Sequence, residues 1–324
     1  MNQLPHLPEL APQPASVSVT EPVSRAIEHT RRVLFPFNAG KWLTLGFVAW
    51  LAHLGEGGGS SFNLPDTSGR GSGGSGPGLG PALDWLRDNL SMVVTVGLVV
   101  LVLGIALGVA MTWVSSRAKL MFVHSVARDE AKVEEPWRRF AERGRDLFWV
   151  RLWIGLLGLG LLLVALAIAG VLAWPDLSRG VFESGALLGL LLGGAVLVLG
   201  GLPLTVAAML IDDFVVPAMY LNDEPVGPAW RRVKSEVISG RVWTVVLFYL
   251  MKFLLGLVTG LIALVATCIT CCIVALPYIG TVFLLPLFVF NQAYVLYFLE
   301  QLGSGWQSIS RPEAVEPGSR FSGP

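Results

Sequence analysis

The chain has 324 residues, 53% of them hydrophobic and only 14% charged, against roughly 25% charged for soluble domains. A soluble fold of this length could not keep so much apolar surface out of water, and the apolar residues come in blocks, which reads as membrane spans. Lys plus Arg (23) balance Asp plus Glu (23), so no overall basic field points to nucleic acid.

Residues 1–20, with Pro5, Pro8 and Pro12 near the start, predict a disordered tail. No apolar stretch occurs early, so the first span is expected to direct its own insertion. Glu21 to Leu34 predicts a helix with Ala26, Ile27, Val33 and Leu34 on an apolar side and Arg25, Arg31 and Arg32 on a basic side. The first span is expected at 34–54, interrupted by Asn38 and Lys41. Twenty-one residues at about 1.5 Å each just cross a hydrocarbon core of about 30 Å. Lys41 can snorkel at the inner edge. A re-entrant or interfacial segment is the alternative.

Residues 55–81 read as a Gly/Ser-rich outer loop. Gly71, Gly73 and Gly76 stand in GxGxxG spacing, but a dinucleotide fingerprint needs a strand before it and a helix after it, and this run is of low complexity. Further spans are expected at 90–114, 147–174, 185–211, 242–270 and 279–302, separated by polar stretches at 115–146 and 212–241. The second of these stretches carries an apolar patch, Phe214–Leu221, and residues 304–324 read as a disordered tail. The fold class is thus all-α: a polytopic membrane domain over 21–303, with six transmembrane helices and cytoplasmic interfacial amphipathic helices.

Basic residues set the orientation. Four lie in the N-terminal segment to Lys41, nine in 115–151, four in 212–241 and two in the tail, against Arg70, Arg87 and Arg179 on the other side. Positive charge stays in the cytoplasm during insertion, which places both termini inside. Trp42, Trp113, Trp153, Trp174 and Trp243 fall near the expected membrane edges, where tryptophan anchors.

Three stretches share a design. Glu21-Pro22 precedes Arg31-Arg32 and Trp42; Glu135-Pro136 precedes Arg138-Arg139 and Trp153; Glu224-Pro225 precedes Arg231-Arg232 and Trp243. Each reads as an interfacial helix followed by a two-span hairpin. Its Arg pair would meet anionic head groups, at about 1 kcal/mol per basic residue. The plainer alternative is that any loop before a span carries Arg and Trp for topology and anchoring.

The run Phe35-Pro36-Phe37-Asn38-Ala39-Gly40-Lys41-Trp42 and the ending Leu276-Pro277-Tyr278-Ile279-Gly280 with Tyr297-Phe298-Leu299-Glu300-Gln301-Leu302-Gly303 resemble a family of uncharacterised six-helix bacterial membrane proteins. The architecture is more distantly similar to the membrane domain that accompanies some glycerophosphodiester phosphodiesterases. The resemblance covers most of 21–303 and implies a bacterial cytoplasmic membrane; it brings no catalytic residues.

Small residues at four-residue spacing mark close helix approach in lipid. Gly104 and Gly108, Gly185, Gly189 and Gly193, and Gly256 and Gly260 show it. The fifth span also carries a small or polar stripe, Tyr249, Lys252, Gly256, Thr259, Ala263, Thr267 and Thr270, expected to face protein.

Lys252 is the candidate for a ligand or ion pathway, because an ionisable group inside a span costs at least ~2.5–3.5 kcal/mol and usually faces a cavity or partner. Asp212 and Asp213 are its candidate counter-ions. A snorkelling lysine or a fixed ion pair is the plainer reading of the same residues. Cys268, Cys271 and Cys272 cluster at i, i+3 and i+4, but zinc needs a fourth ligand, and cysteine is also an ordinary small apolar residue. No metal and no cofactor is expected. Asn291, Gln292, Tyr294 and Tyr297 are expected to hydrogen-bond between helices, and His124 to lie on the membrane surface. No HExxH, P-loop or nucleophile with a base is present. The expectation is a non-enzymatic membrane protein that organises lipid or supports a membrane partner or a second copy; a transporter or channel with a site at Lys252 is the rival.

Overall fold

A computed structural model of the chain describes residues 17–54, 88–178, 184–270 and 276–307. The Gly/Ser stretch 55–81 with its GxGxxG spacing, and Cys271 and Cys272, lie outside the described residues. Among the described residues there is no strand. The helices are α1 (Glu21–Leu34), α2 (Ala39–His53), α3 (Leu90–Arg128), α4 (Glu134–Arg139), α5 (Ala141–Ser178), α6 (Ser184–Leu210), α7 (Val216–Asn222), α8 (Val226–Arg232), α9 (Val242–Ile269), α10 (Pro277–Phe283) and α11 (Leu285–Glu300). A π turn, Ile211–Val215, joins α6 to α7; a second, Val233–Ile238, follows α8; a 3-10 turn, Ser304–Trp306, follows α11.

Four helical stretches are long and apolar enough to cross a membrane: Ser91–Arg128, Ala141–Asp176, Ser184–Asn222 and Val242–Ile269. They cover the second to fifth expected spans to within one residue. The first and sixth expected spans take another form. Pro36 disfavours helix at the residue before it and lacks an N–H, so helix resumes only at Ala39. The resulting α2 has 15 residues, about 22 Å, which is short of a bilayer core. The sixth segment is divided at Leu284, because the ring of Pro286 would clash with the carbonyl four residues back in a continuous helix.

The chain divides into two compact units. The first takes in 1–47, 122–133 and 209–324. Its core uses the amphipathic side of α1: Ala26, His29, Val33 and Leu34 are buried as α1 packs along α11, where Ala293 to Leu299 are buried without interruption. Ile27, expected on that side, is 58% exposed, because it stands one position from Ala26, about 100° around the helix. The last turns of α3 contribute Phe122, Val123, Val126 and Ala127 to this core. The apolar patch expected in a polar loop becomes part of the π turn and α7, with Phe214 to Met219 buried.

Of the two stretches expected as disordered tails, residues 1–16 and 308–324 lie outside the described residues, and the described parts make specific contacts. Ser18 N–H donates to the Gln301 side-chain oxygen at 2.7 Å, and the Gln301 amide donates back to the Ser18 carbonyl at 2.9 Å. Trp306 is 1% exposed, and its indole N–H donates to Glu236 at 2.8 Å.

The second unit takes in 48–121 and 134–208. Here α5 and α6 meet through the three-glycine run. A Cβ on Gly189 would lie 2.8 Å from the Ala169 carbonyl oxygen, and one on Gly193 2.8 Å from that of Ala165. Asp176, 5% exposed, accepts the Ala186 N–H at 2.8 Å, so a buried carboxylate satisfies one of the orphan donors of the first turn of α6. By contrast, nothing lies within 4 Å of a Cβ on Gly104, Gly108, Gly256 or Gly260.

Candidate functional site

The region around Lys252 is shaped by a proline. Pro217 has no N–H to give the carbonyl four residues back, and its ring would clash with it. The helix widens by one residue just before it, with Val216 N–H donating to the Ile211 carbonyl, five residues back. This π turn carries Asp212 and Asp213, and π bulges inside helices recur at functional positions.

Asp213 points inward and is 8% exposed. Lys252, ten residues into α9, donates to its carboxylate. The Tyr249 hydroxyl is buried beside that carboxylate. Beneath the pair lies a cluster of rings. Phe214 stands 5.1 Å from Phe248 and 6.1 Å from Phe298 between centroids, and Phe248 stacks on Tyr294 at 5.3 Å, nearly parallel. Asp212 is half-buried in the same turn. The geometry therefore brings Lys252 to Asp213 and holds both in an apolar setting. A lysine with its charge matched by a buried carboxylate cross-links α9 to the π turn.

No residue of the expected polar stripe of α9 is fully buried: Tyr249 and Lys252 are half-buried, and the buried residues of the helix are Val245 and Phe248. Gly256 is exposed, and Thr259, Ala263, Thr267 and Thr270 are half-buried, with the Thr267 and Thr270 hydroxyls turned back onto the Ala263 and Ala266 carbonyls at 2.8 Å.

Tyrosines of α11 do join other segments: Tyr294 donates to the Val19 carbonyl at 3.3 Å, and the Tyr297 hydroxyl meets His29 Nδ1 at 3.3 Å. His124 is half-buried, 3.1 Å from the Tyr220 hydroxyl. Cys268 is exposed. Among the described residues no group of three or more His, Cys, Asp or Glu side chains could hold a metal.

His29 was not singled out by motif reasoning, yet it is 4% exposed. Its Nε2 lies 2.9 Å from the Val126 carbonyl, which fixes Nε2 as the protonated nitrogen and leaves Nδ1 to accept from Tyr297. Burial holds its pKa below the ordinary value, against the opposing pull of the Val126 hydrogen bond. Its sequence signal was its place, three residues after Ala26 and four before Val33, on the apolar face.

The three Glu-Pro stretches all form a helix ahead of a longer one: α1 before α2, α4 before α5, α8 before α9. In each pair one arginine meets a glutamate, Arg32 with Glu28 at 3.4 Å, Arg138 with Glu134 at 3.0 Å and Arg232 with Glu224 at 2.6 Å. The others, Arg31, Arg139 and Arg231, are exposed.

No curated protein and no solved structure matches the chain, and nothing links it to glycerophosphodiester phosphodiesterases. One family model matches residues 17–304, almost the whole described range. The chain belongs to that family, the family of unknown function DUF7544.

Proposed function

We propose that the protein is a non-enzymatic component of a bacterial cytoplasmic membrane that organises lipid or supports a membrane partner, with basic helices on the inner face. The observation that carries this reading is the bareness of its long helices. The apolar windows of the four candidate spans are 0%, 6%, 11% and 11% buried within the chain, so lipid or another membrane protein must cover them. The exposed arginines of α1, α4 and α8 supply a surface suited to anionic head groups.

The concentration of basic residues supports placing both termini inside. Lys41 pairs with Asp129 at 2.7 Å, and His29 meets Val126, so the second half of α1 and the start of α2 lie beside the last turns of α3. This supports two further passages, one between α1 and α3 and one between α9 and the end of α11, completing six.

The transporter reading needs Lys252 to serve a moving ligand, whereas its charge is already matched by Asp213. The test combines native mass spectrometry of the protein released gently from its own membrane with solute flux in reconstituted vesicles. Retained anionic lipid or a protein partner, and no flux above protein-free vesicles, is expected. Saturable flux lost in a stable Lys252→Leu protein would overturn the reading in favour of transport.

A further inference from the structure

We propose that Arg117, Trp113 and Trp137 form a site for the phosphate of an anionic phospholipid headgroup. The proposal rests on the lipid-organising reading and gives that role one address, away from Lys252.

The guanidinium of Arg117 lies 4.3 Å from the ring centroid of Trp113, one turn earlier on α3, and 5.4 Å from that of Trp137 on α4. The two indoles meet edge to face at 6.1 Å. The stem of Arg117 lies on the backbone of α5, where a Cβ on Gly144 would fall 2.5 Å from its Cγ and 3.0 Å from its Cα. Three helices thus hold one arginine in place, and two of them supply aromatic faces that attract a cation.

What is missing is the anion. Arg32, Arg138 and Arg232 each meet a glutamate, but among the described residues Arg117 makes neither an ion pair nor a hydrogen bond, and its Nε is buried with no partner. Its two terminal nitrogens are not among the buried unpartnered atoms. The indole N–H groups of Trp113 and Trp137 likewise donate to nothing among the described residues. An ordered guanidinium flanked by rings offers its in-plane N–H edge, and a phosphate accepts from that edge bidentately.

The level along α3 identifies the source of the phosphate. Nearly every side chain from Ser91 to Ala110 is exposed, whereas Ser115, Ser116 and Ala118 to Met121 are buried. The change falls at Trp113, which is 38% exposed. On α5, Trp149 and Trp153 are 53% and 62% exposed, flanking Arg151, whose guanidinium reaches Ser115 on α3 at 3.3 Å. Tryptophans grouped where lipid-exposed surface ends mark the headgroup layer, and a phosphodiester is what that layer presents.

Native mass spectrometry of the full chain in detergent, with palmitoyl-oleoyl phosphatidylglycerol, the matching phosphatidylcholine, or inorganic phosphate added, tests the site. Wild type is expected to retain one phosphatidylglycerol after other lipid is stripped, and Arg117→Gln to lower that occupancy about tenfold, the loss of roughly one charge-assisted contact. Arg117→Lys, which keeps the charge but not the planar edge, should fall between them. Gly144→Leu, which displaces the arginine stem, should behave as Arg117→Gln, with circular dichroism reporting that each variant is folded. Equal phosphatidylglycerol occupancy in folded Arg117→Gln overturns the site alone. Equal retention of phosphatidylcholine by wild type overturns charge recognition, and capture of inorganic phosphate with no lipid preference overturns the lipid source. Loss of all preferential lipid from wild type defeats the broader lipid-organising reading as well.

Discussion

Lys252 on α9 donates to Asp213 in the π turn that ends α6, and the two side chains are unequally covered: 33% of the lysine side chain is exposed but only 11% of the aspartate. Removing either partner leaves a different charge behind. Lys252→Leu strands a carboxylate among Phe214, Phe248 and Tyr249. Asp213→Asn strands an ammonium with a flexible stem that can reach a polar layer. Lys252→Leu should therefore cost about 1–3 kcal/mol, less than the ~3–5 of a fully buried pair because the lysine is partly exposed. Asp213→Asn should cost less, and the double replacement by leucine should recover much of the loss. Denaturant unfolding in mixed micelles of the two single variants and the double one checks this. Equal losses for the single variants would show that the asymmetry of burial does not govern the pair.

The glycines sort into two classes with opposite expectations. At Gly189 and Gly193 the neighbouring atoms are backbone carbonyl oxygens of α5, which cannot step aside as a side-chain tip can. Gly189→Ala should push α5 from α6 and cost about 1–3 kcal/mol. Gly104→Ala and Gly256→Ala meet nothing within 4 Å and should be neutral in the single chain or slightly stabilising, since alanine favours helix over glycine. Thermal unfolding of the three variants separates the classes; destabilisation by Gly104→Ala in a monomer would contradict this division.

The residues that carried a signal in the sequence are those whose physics is local. Apolar blocks gave the four long helices, since a lipid-crossing helix needs about twenty apolar residues whatever its neighbours. The amphipathic spacing of Glu21–Leu34 gave α1, and the three-glycine run marked the close-approach face of α6, though not α5 as the helix it meets. The short form of α2 was hidden because Leu34 and Phe35 look apolar enough to begin a span, while the break is a backbone effect of Pro36. Leu120, Met121 and Phe122 were hidden in a polar stretch because Arg117, Lys119 and Arg128 surround them in sequence, and Lys119 is buried along with them. Which aspartate meets Lys252 depended on the extra residue of the π turn, and that turn follows from Pro217 only once the helix is known to continue past it. The Arg117 cluster joins three segments, and no periodicity within one segment reports on another.

His29 predicts a pH dependence with a definite sign. Burial is the largest cause that lowers its folded pKa below the ordinary value of 6.5; Arg32 lowers it too, while the Val126 carbonyl, Asp129 and Glu300 oppose. A group whose folded pKa is depressed contributes stability above its unfolded pKa. That contribution falls as pH drops below about 6.5 and is gone once pH has passed through the lower folded value. The docking of α1 on α11 should therefore loosen on acidification in this window. Hydrogen exchange of the α1 amides at pH 7.5 and 5.5 reads the effect directly. His29→Gln, which keeps a side-chain N–H for the Val126 carbonyl, should remove the pH difference; the same acid-induced rise in exchange in that variant would assign it to other groups.

Trp306 fastens the chain beyond α11 to the first unit by two separable means. Its ring is 1% exposed, and its indole N–H reaches the Glu236 carboxylate in the π turn after α8. Trp306→Ala removes both and should cost about 3–5 kcal/mol, as for a large buried aromatic. Trp306→Phe keeps most of the packing and loses the donor, which is worth about 0.5–1.5 kcal/mol. Glu236→Gln leaves a neutral acceptor and should cost less again, since the Glu236 side chain is 45% exposed and water can replace the contact. The three unfolding free energies should fall in that order. A loss for Trp306→Phe as large as for Trp306→Ala would move the weight from ring burial to the hydrogen bond, and Glu236→Gln would then have to match it.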